Sequence, residues 1–145
     1  MADAEAADAL LALGRHVLAQ QAFSRLLGTE LTAWDAQRCT LELPLRAELL
    51  QQHGFAHGGV VSYLADNALT YAGASALGSA VVTSEFKINY VRPAVGERLI
   101  ARAEPVASGK AQAVCRCEVF AVAAGAEKLC AVAQGTIVRL AEASS

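Results

Sequence analysis

The stretch Phe55-Ala56-His57-Gly58-Gly59-Val60-Val61-Ser62-Tyr63-Leu64-Ala65-Asp66-Asn67-Ala68-Leu69-Thr70 decides how this chain is read. Two adjacent glycines open what reads as a long apolar helix, and one carboxylate sits about two turns inside it. A helix N-terminus carries backbone N–H groups without intrahelical partners and favours negative charge. Glycine at that point lets a ligand approach the backbone closely. Aspartate is a mediocre helix former, and burying its charge among Ala, Val and Leu is costly unless a partner compensates. An N–H donor and an acid on one helix point to chemistry on a carbonyl.

Working outward, the helix is expected over about 58–77. Val61, Leu64, Ala65, Ala68, Ala72 and Ala76 form a continuous apolar face. Gly59, Ser62, Tyr63, Asp66, Thr70 and Gly73 form a second stripe of small or polar groups suited to lining a narrow site. Four strand-like segments follow at about 80–92, 97–107, 111–123 and 128–140. Turn signals separate them at Arg92-Pro93-Ala94-Val95-Gly96, Ser108-Gly109-Lys110 and Ala124-Gly125-Ala126. In the first segment, alternation sets Val82, Phe86, Ile88 and Tyr90 on one face and Thr83, Glu85, Lys87 and Asn89 on the other.

Upstream, residues 4–23 read as a helix with a broad stripe of Leu10, Leu11, Leu13, Val17 and Leu18. Residues 26–33 are a weaker strand candidate, and Trp34-Asp35-Ala36 reads as a turn. Leu41, Leu43 and Leu45 alternate with polar residues as a strand, with Pro44 marking its end or a sheet edge. Helix, strands, a long helix and hairpins make a single α+β domain over 1–145, with loose ends that include 141–145.

The chain has 145 residues, enough for a real core, and is 54% hydrophobic but only 18% charged. That surplus of apolar residues is expected to be buried between subunits. A net charge of −2, with both signs mixed, proposes no nucleic-acid groove. No apolar run is long enough to span a membrane, and the acidic start (Asp3, Glu5, Asp8) lacks the pattern of a secretory signal, so a cytoplasmic protein is expected. Cys39, Cys115, Cys117 and Cys130 have neither metal-ligand spacing nor a matching histidine cluster. They read as reduced, structural thiols, and neither metal nor cofactor is expected.

The chain resembles the hotdog-fold acyl-CoA thioesterases of the phenylacetate-pathway and 4-hydroxybenzoyl-CoA type. The resemblance covers about 41–140. It rests on His57-Gly58-Gly59, on the acid eight residues after Gly58, and on Thr83-Ser84-Glu85-Phe86-Lys87-Ile88-Asn89-Tyr90-Val91-Arg92-Pro93-Ala94. It implies a curved antiparallel sheet wrapped around the central helix, and a homodimer or homotetramer with active sites between protomers. The implied reaction is hydrolysis of an acyl-CoA to free acid and coenzyme A.

Carried over residue by residue, the resemblance makes the Gly58 N–H the donor that polarises the thioester carbonyl. Asp66 becomes either a nucleophile or a general base activating water. Eight helical residues span about 12 Å, so one subunit is not expected to bring both groups to one carbonyl. Gln51 lies where relatives carry Gln or Asn, with Gln52 leaving the register open by one. Thr83 lies where they carry Thr or Ser, and Thr70 follows Asp66 by one turn. Each also has an ordinary reading, as a surface amide, a strand hydroxyl and a hydroxyl bonded back to its own helix. His57 is expected to fix the loop that presents Gly58 rather than to act as a base. Around the substrate the reading groups His57 and Gly59 with Phe55 and Tyr63, and Tyr71 as a further aromatic flank. Arg92, Lys110 and Arg116, with the Ser108-Gly109 turn, are the groups for coenzyme A phosphates.

Three rivals remain at this level. A non-catalytic acyl-CoA binding or sensing module would share the fold. A hydratase or dehydratase would need a catalytic histidine in a differently spaced motif. An accessory oligomerisation domain would leave the acid without a role.

Overall fold

The long run after His57 contains no proline and ends at Gly78, whose left-handed backbone (φ 65°) caps the last turn. In the computed structural model, which describes residues 1–78 and 80–141, this run is the helix α3, Gly58–Leu77, as the sequence predicts. Two helices precede it, α1 (Ala2–Gln20) and α2 (Ala22–Leu27), together with two strands, β1 (Glu30–Trp34) and β2 (Cys39–Pro44). After it come β3 (Val81–Tyr90), β4 (Arg98–Ser108), β5 (Gln112–Ala123) and β6 (Ala126–Arg139).

The six strands form one antiparallel sheet in the order β1-β2-β4-β5-β6-β3. The sheet curves around α3 in the expected hotdog arrangement. Helix-facing positions alternate along each strand: Leu99, Ala101 and Ala103 on β4, then Ala113, Cys115, Cys117 and Val119 on β5. They meet Leu64, Ala65, Ala68, Leu69 and Ala72 of α3. Leu64 and Leu69 are fully buried, and truncating either to alanine would cost about 2–5 kcal/mol. All four cysteines are buried and unpaired, filling this core as small apolar groups.

Three expectations change. The N-terminal helix breaks at Gln21 (φ −85°, ψ 103°) and resumes to Leu27, so Leu26 and Leu27 are helical rather than strand. Its second part is drawn onto α3 by buried Ser24, whose hydroxyl meets Tyr63 Oη at 2.5 Å. Trp34 ends β1 instead of starting a turn. Its indole N–H donates to Tyr71 O, and its ring meets Tyr71 edge-on at 5.0 Å. Pro44 ends β2, the first of the two places the sequence left open for it, and β2 lies inside the sheet. Of the tail expected over 141–145, all but Ala141 lies outside the described residues.

The third change matters most for the site. Between Thr83 and Glu85 the β3–β6 register shifts, leaving Ser84 as an extra residue. Gly135 on β6 is where the bulged strand comes close, since a Cβ there would lie 2.6 Å from Glu85 O. The bulge reverses the alternation upstream of it. Val81 and Thr83 therefore face the helix with Phe86 and Ile88, while Val82 turns outward. The sequence reading, which set Thr83 opposite Phe86, is corrected by this one residue.

Candidate active site

The first turn of α3 is held by a closed set of hydrogen bonds. His57 occupies the N-cap, and its Nδ1 accepts the Gly59 N–H at 2.8 Å. An accepting Nδ1 requires the ring proton on Nε2. His57 O accepts Val60 N–H at 2.9 Å and Val61 N–H at 3.2 Å, and His57 N–H donates to Leu49 O at 2.9 Å. Gly58 O accepts the Tyr90 hydroxyl at 3.0 Å. The Gly58 N–H meets no acceptor among the described residues, so one free donor remains at the helix start.

The two glycines have different reasons. A Cβ at Gly59 would lie 2.9 Å from His57 Nδ1 and dislodge the cap. A Cβ at Gly58 would make only ordinary contact, 3.4 Å from Tyr90 Oη, and its φ is not left-handed. Packing within the chain therefore does not demand glycine at 58.

Gly58 opens onto a cleft of about 190 Å³ lined by Gln51, Phe55, Val61, Tyr90, Arg92 and Cys130. Gln51 and Phe55 reach it through a tight loop in which Leu50 bridges Ala56 and Gln51 N–H donates to Phe55 O. The Gln51 side-chain carbonyl accepts the His53 N–H, which leaves its amide NH₂ for the cleft. Arg92 is exposed on the rim and touches Leu129 O at 3.4 Å. Burial pushes the Cys130 thiol up to about 11, leaving it protonated at neutral pH.

Asp66 lies off this cleft, half-buried beneath β3. Thr83 Oγ1 donates to Asp66 Oδ1 at 2.6 Å. Thr70 Oγ1 lies 2.9 Å from Thr83 Oγ1 and 2.8 Å from Asp66 O. With the Thr83 proton committed to the carboxylate, the single Thr70 proton is shared between the other two contacts. The structure thus brings Asp66, Thr70 and Thr83 together, and Gly58, Gly59, His57, Gln51, Phe55 and Arg92 together, about two helical turns apart.

The remaining sequence-derived residues lie elsewhere. The Tyr63 hydroxyl sits between Ser24 and Thr29 Oγ1 (2.9 Å), and its ring packs edge-on to Phe23. Tyr71 is core rather than an acyl flank, with its hydroxyl on Gly14 O at 2.8 Å. Gly73 is buried against Ile137 instead of joining an open polar stripe. Lys110 lies at the far end of α3, where Arg139 bridges Lys110 O and Leu77 O. Arg116 is held by Glu104 at 2.7 Å on the outer face of the sheet. Alternation sets Tyr90 on the strand face of Phe86 and Ile88, which the structure turns to the helix, but its contact with Gly58 carries no signal in the sequence.

No group of three potential metal ligands occurs among the described residues. Nor is any described helix long and apolar enough to cross a membrane.

A family model described as the thioesterase superfamily matches residues 53–125, the segment carrying Gly58, Asp66 and Thr83. The chain belongs to the thioesterase superfamily. As a member of it, the protein is a thioester hydrolase. Among curated proteins, the acyl-coenzyme A thioesterase PaaI of Escherichia coli (strain K12) is 31% identical over 99 residues, covering 68% of this chain and 70% of that protein. Among solved structures, a thioesterase family protein from Silicibacter pomeroyi superposes with a TM-score of 0.81 at 37% identity, covering 86% of this chain and 93% of that one. A mutant of the phenylacetic acid degradation protein PaaI from Thermus thermophilus gives 0.71 at 33% identity, covering 81% and 98%.

Proposed function

We propose that this thioesterase hydrolyses acyl-coenzyme A esters with aryl or short-to-medium acyl groups, at a site shared between two copies of the chain. The observation that carries this reading is the free Gly58 N–H opening onto a cleft. It is a donor aimed where negative charge develops on a thioester carbonyl oxygen under attack. Phe55, Val61, Tyr90 and Cys130 give the cleft a partly apolar lining, and about 190 Å³ suits a ring or a short chain better than a long alkyl tail. Arg92 on the rim is the cation available to a coenzyme A phosphate, whereas Arg116 is engaged by Glu104.

The carboxylate comes from the other copy. Strand β3 ends the sheet, and beside its open edge Val82, Tyr90 and Val91 expose 43%, 55% and 54% of their surface. Ser62 is midway along α3 between Gly58 and Asp66, and Phe86 is near the midpoint of β3 between Thr83 and Tyr90. A two-fold axis near both midpoints pairs β3 with β3 in antiparallel fashion. It sets each Gly58 against the Asp66 of the other copy.

Two routes are compatible with this arrangement. In one, Asp66 takes a proton from water and hydroxide adds to the carbonyl carbon. In the other, a carboxylate oxygen adds directly, and water then cleaves the resulting anhydride. In both, the carbonyl oxygen becomes an oxyanion on the Gly58 N–H, and the C–S bond breaks to release coenzyme A thiolate. The Thr83 hydroxyl holds the carboxylate in one orientation throughout.

Free-thiol release from a panel of aryl, short, medium and long acyl-CoAs tests the reading. Turnover is expected with the aryl and shorter esters, and affinity should weaken with salt through the phosphate contacts. Binding of the esters without thiol release would instead mark a non-catalytic acyl-CoA module. Product formation with the thioester intact would mark a hydratase.

A further inference from the structure

We propose that Tyr90 is a positioning residue for the oxyanion donor, an inference that rests on the reading of the Gly58 N–H given above. The β3 strand runs antiparallel to α3, so its two ends meet the two halves of the site. Thr83 reaches Asp66 near one end and Tyr90 reaches Gly58 at the other. Both side chains face the helix because the bulge at Ser84 puts positions 83, 86, 88 and 90 on one side of the strand.

At Gly58 the Tyr90 hydroxyl completes a clamp. The peptide joining Gly58 to Gly59 is held at its carbonyl by Tyr90 (3.0 Å) and at its N–H by His57 Nδ1 (2.8 Å). The preceding peptide, which carries the free N–H, is held at its carbonyl by the Val60 and Val61 amides. The other polar groups of these two peptides are thereby committed, and the direction of the one remaining N–H is fixed by them. The Tyr90 ring also lies against the Gly58 Cα, with Cζ 3.5 Å from where a Cβ would sit, and walls the cleft. The hydroxyl acts on the donor and the ring on the shape of the site, so the two roles separate by chemistry.

Tyr90→Phe keeps the ring and removes only the hydroxyl. Misdirecting a catalytic group by a fraction of an ångström lowers the rate without weakening binding, so kcat is expected to fall about tenfold on every ester with KM unchanged. The ranking of acyl groups and the thermal midpoint should stay at wild-type values. Gly58→Pro, run beside it, deletes the donor itself. Adding Tyr90→Phe to Gly58→Pro should cause no further loss, because nothing is left to position. Wild-type kcat in Tyr90→Phe, a change confined to KM or to thermal midpoint, or full additivity with Gly58→Pro would overturn the proposal while leaving the Gly58 reading in place. Wild-type turnover in Gly58→Pro would instead remove that reading and this inference with it.

Discussion

Thr83 donates its hydroxyl proton to Asp66 Oδ1 at 2.6 Å across the gap between the edge strand and the central helix. The contact exists because one extra residue, Ser84, turns Thr83 to the helix side of β3. A hydrogen bond to an ionised carboxylate is worth about 1.5–3 kcal/mol, twice that of a neutral pair. It restricts the carboxylate to one rotamer beneath the open sheet edge.

Thr83→Val keeps the β-branched shape and removes the donor. Turnover is expected to fall about tenfold, because the carboxylate loses its orientation but not its charge, and the thermal midpoint to drop by several degrees with the lost hydrogen bond. Steady-state kinetics with a purified acyl-CoA ester measures this. Unchanged kcat would show that the Thr83 contact is only structural.

Gly58 and Gly59 should respond differently to substitution. Proline is favoured at the first helical position, and His57 already has the extended backbone (φ −61°, ψ 137°) that a residue before proline requires. Gly58→Pro is therefore expected to fold while losing about 10²–10³ in kcat, the cost of removing one oxyanion donor. Gly58→Ala keeps the N–H and makes only ordinary contact with Tyr90, so its loss should be far smaller. Gly59→Ala displaces the His57 cap and should lower the thermal midpoint, since a lost N-cap costs about 1 kcal/mol. Equal kinetics for the proline and alanine variants at 58 would contradict the donor assignment.

Much of this was legible in the residues. The helix start at Gly58, its end before Gly78 and the acid at 66 follow from glycine placement and apolar spacing. The face of Thr83 does not. Val81 and Val82 suit either side of a strand equally, so alternation alone gave no sign of the bulge; the close approach at Gly135 on a neighbouring strand accommodates it. The break at Gln21 is also silent, lacking proline or glycine, because distant partners set it. Ser24, Thr29 and Asn67 gather on the Tyr63 hydroxyl only once α2 folds back on α3. The same packing takes Tyr71 into the core. Local pattern singles out Gly58 and Asp66 and the resemblance adds Gln51 and Thr83, while tertiary contacts decide which polar groups lie beside them.

Mixing two inactive variants tests whether the site is shared. When Gly58→Pro and Asp66→Asn chains are co-refolded, a mixed dimer with shared sites holds one intact site and one doubly damaged site. Random pairing then restores about a quarter of wild-type turnover for a two-fold dimer. Sites built within single chains would give no recovery, and that result would remove the two-fold arrangement.

The buried thiols give a stability prediction. Burial pushes Cys115 and Cys130 up to about 11 and, with the charge of Glu118 adding to it, Cys117 up to about 12, from an ordinary 9.0. Cys39 and Tyr71 are raised for the same first cause. The folded chain then holds more protons than the unfolded chain above pH 9, so these groups make stability fall as pH rises from about 9 towards 12. Denaturant titrations across that range should show the fall. At neutral pH the native protein should leave a thiol reagent largely unconsumed, with all four cysteines reacting once unfolded. Fast labelling of the native chain, or stability unchanged up to pH 11, would contradict the burial of these groups.

The most direct test of the central claim is thiol release from an aryl-CoA ester by Asp66→Asn beside wild type, with oligomeric state and thermal midpoint measured on both. Asparagine keeps the size of the side chain and can still meet the Thr83 hydroxyl, but it supplies neither a base nor a nucleophilic carboxylate. Loss of about 10²–10⁴ in kcat from a folded variant that still binds the ester is the expected result. Wild-type turnover by that variant would contradict the account.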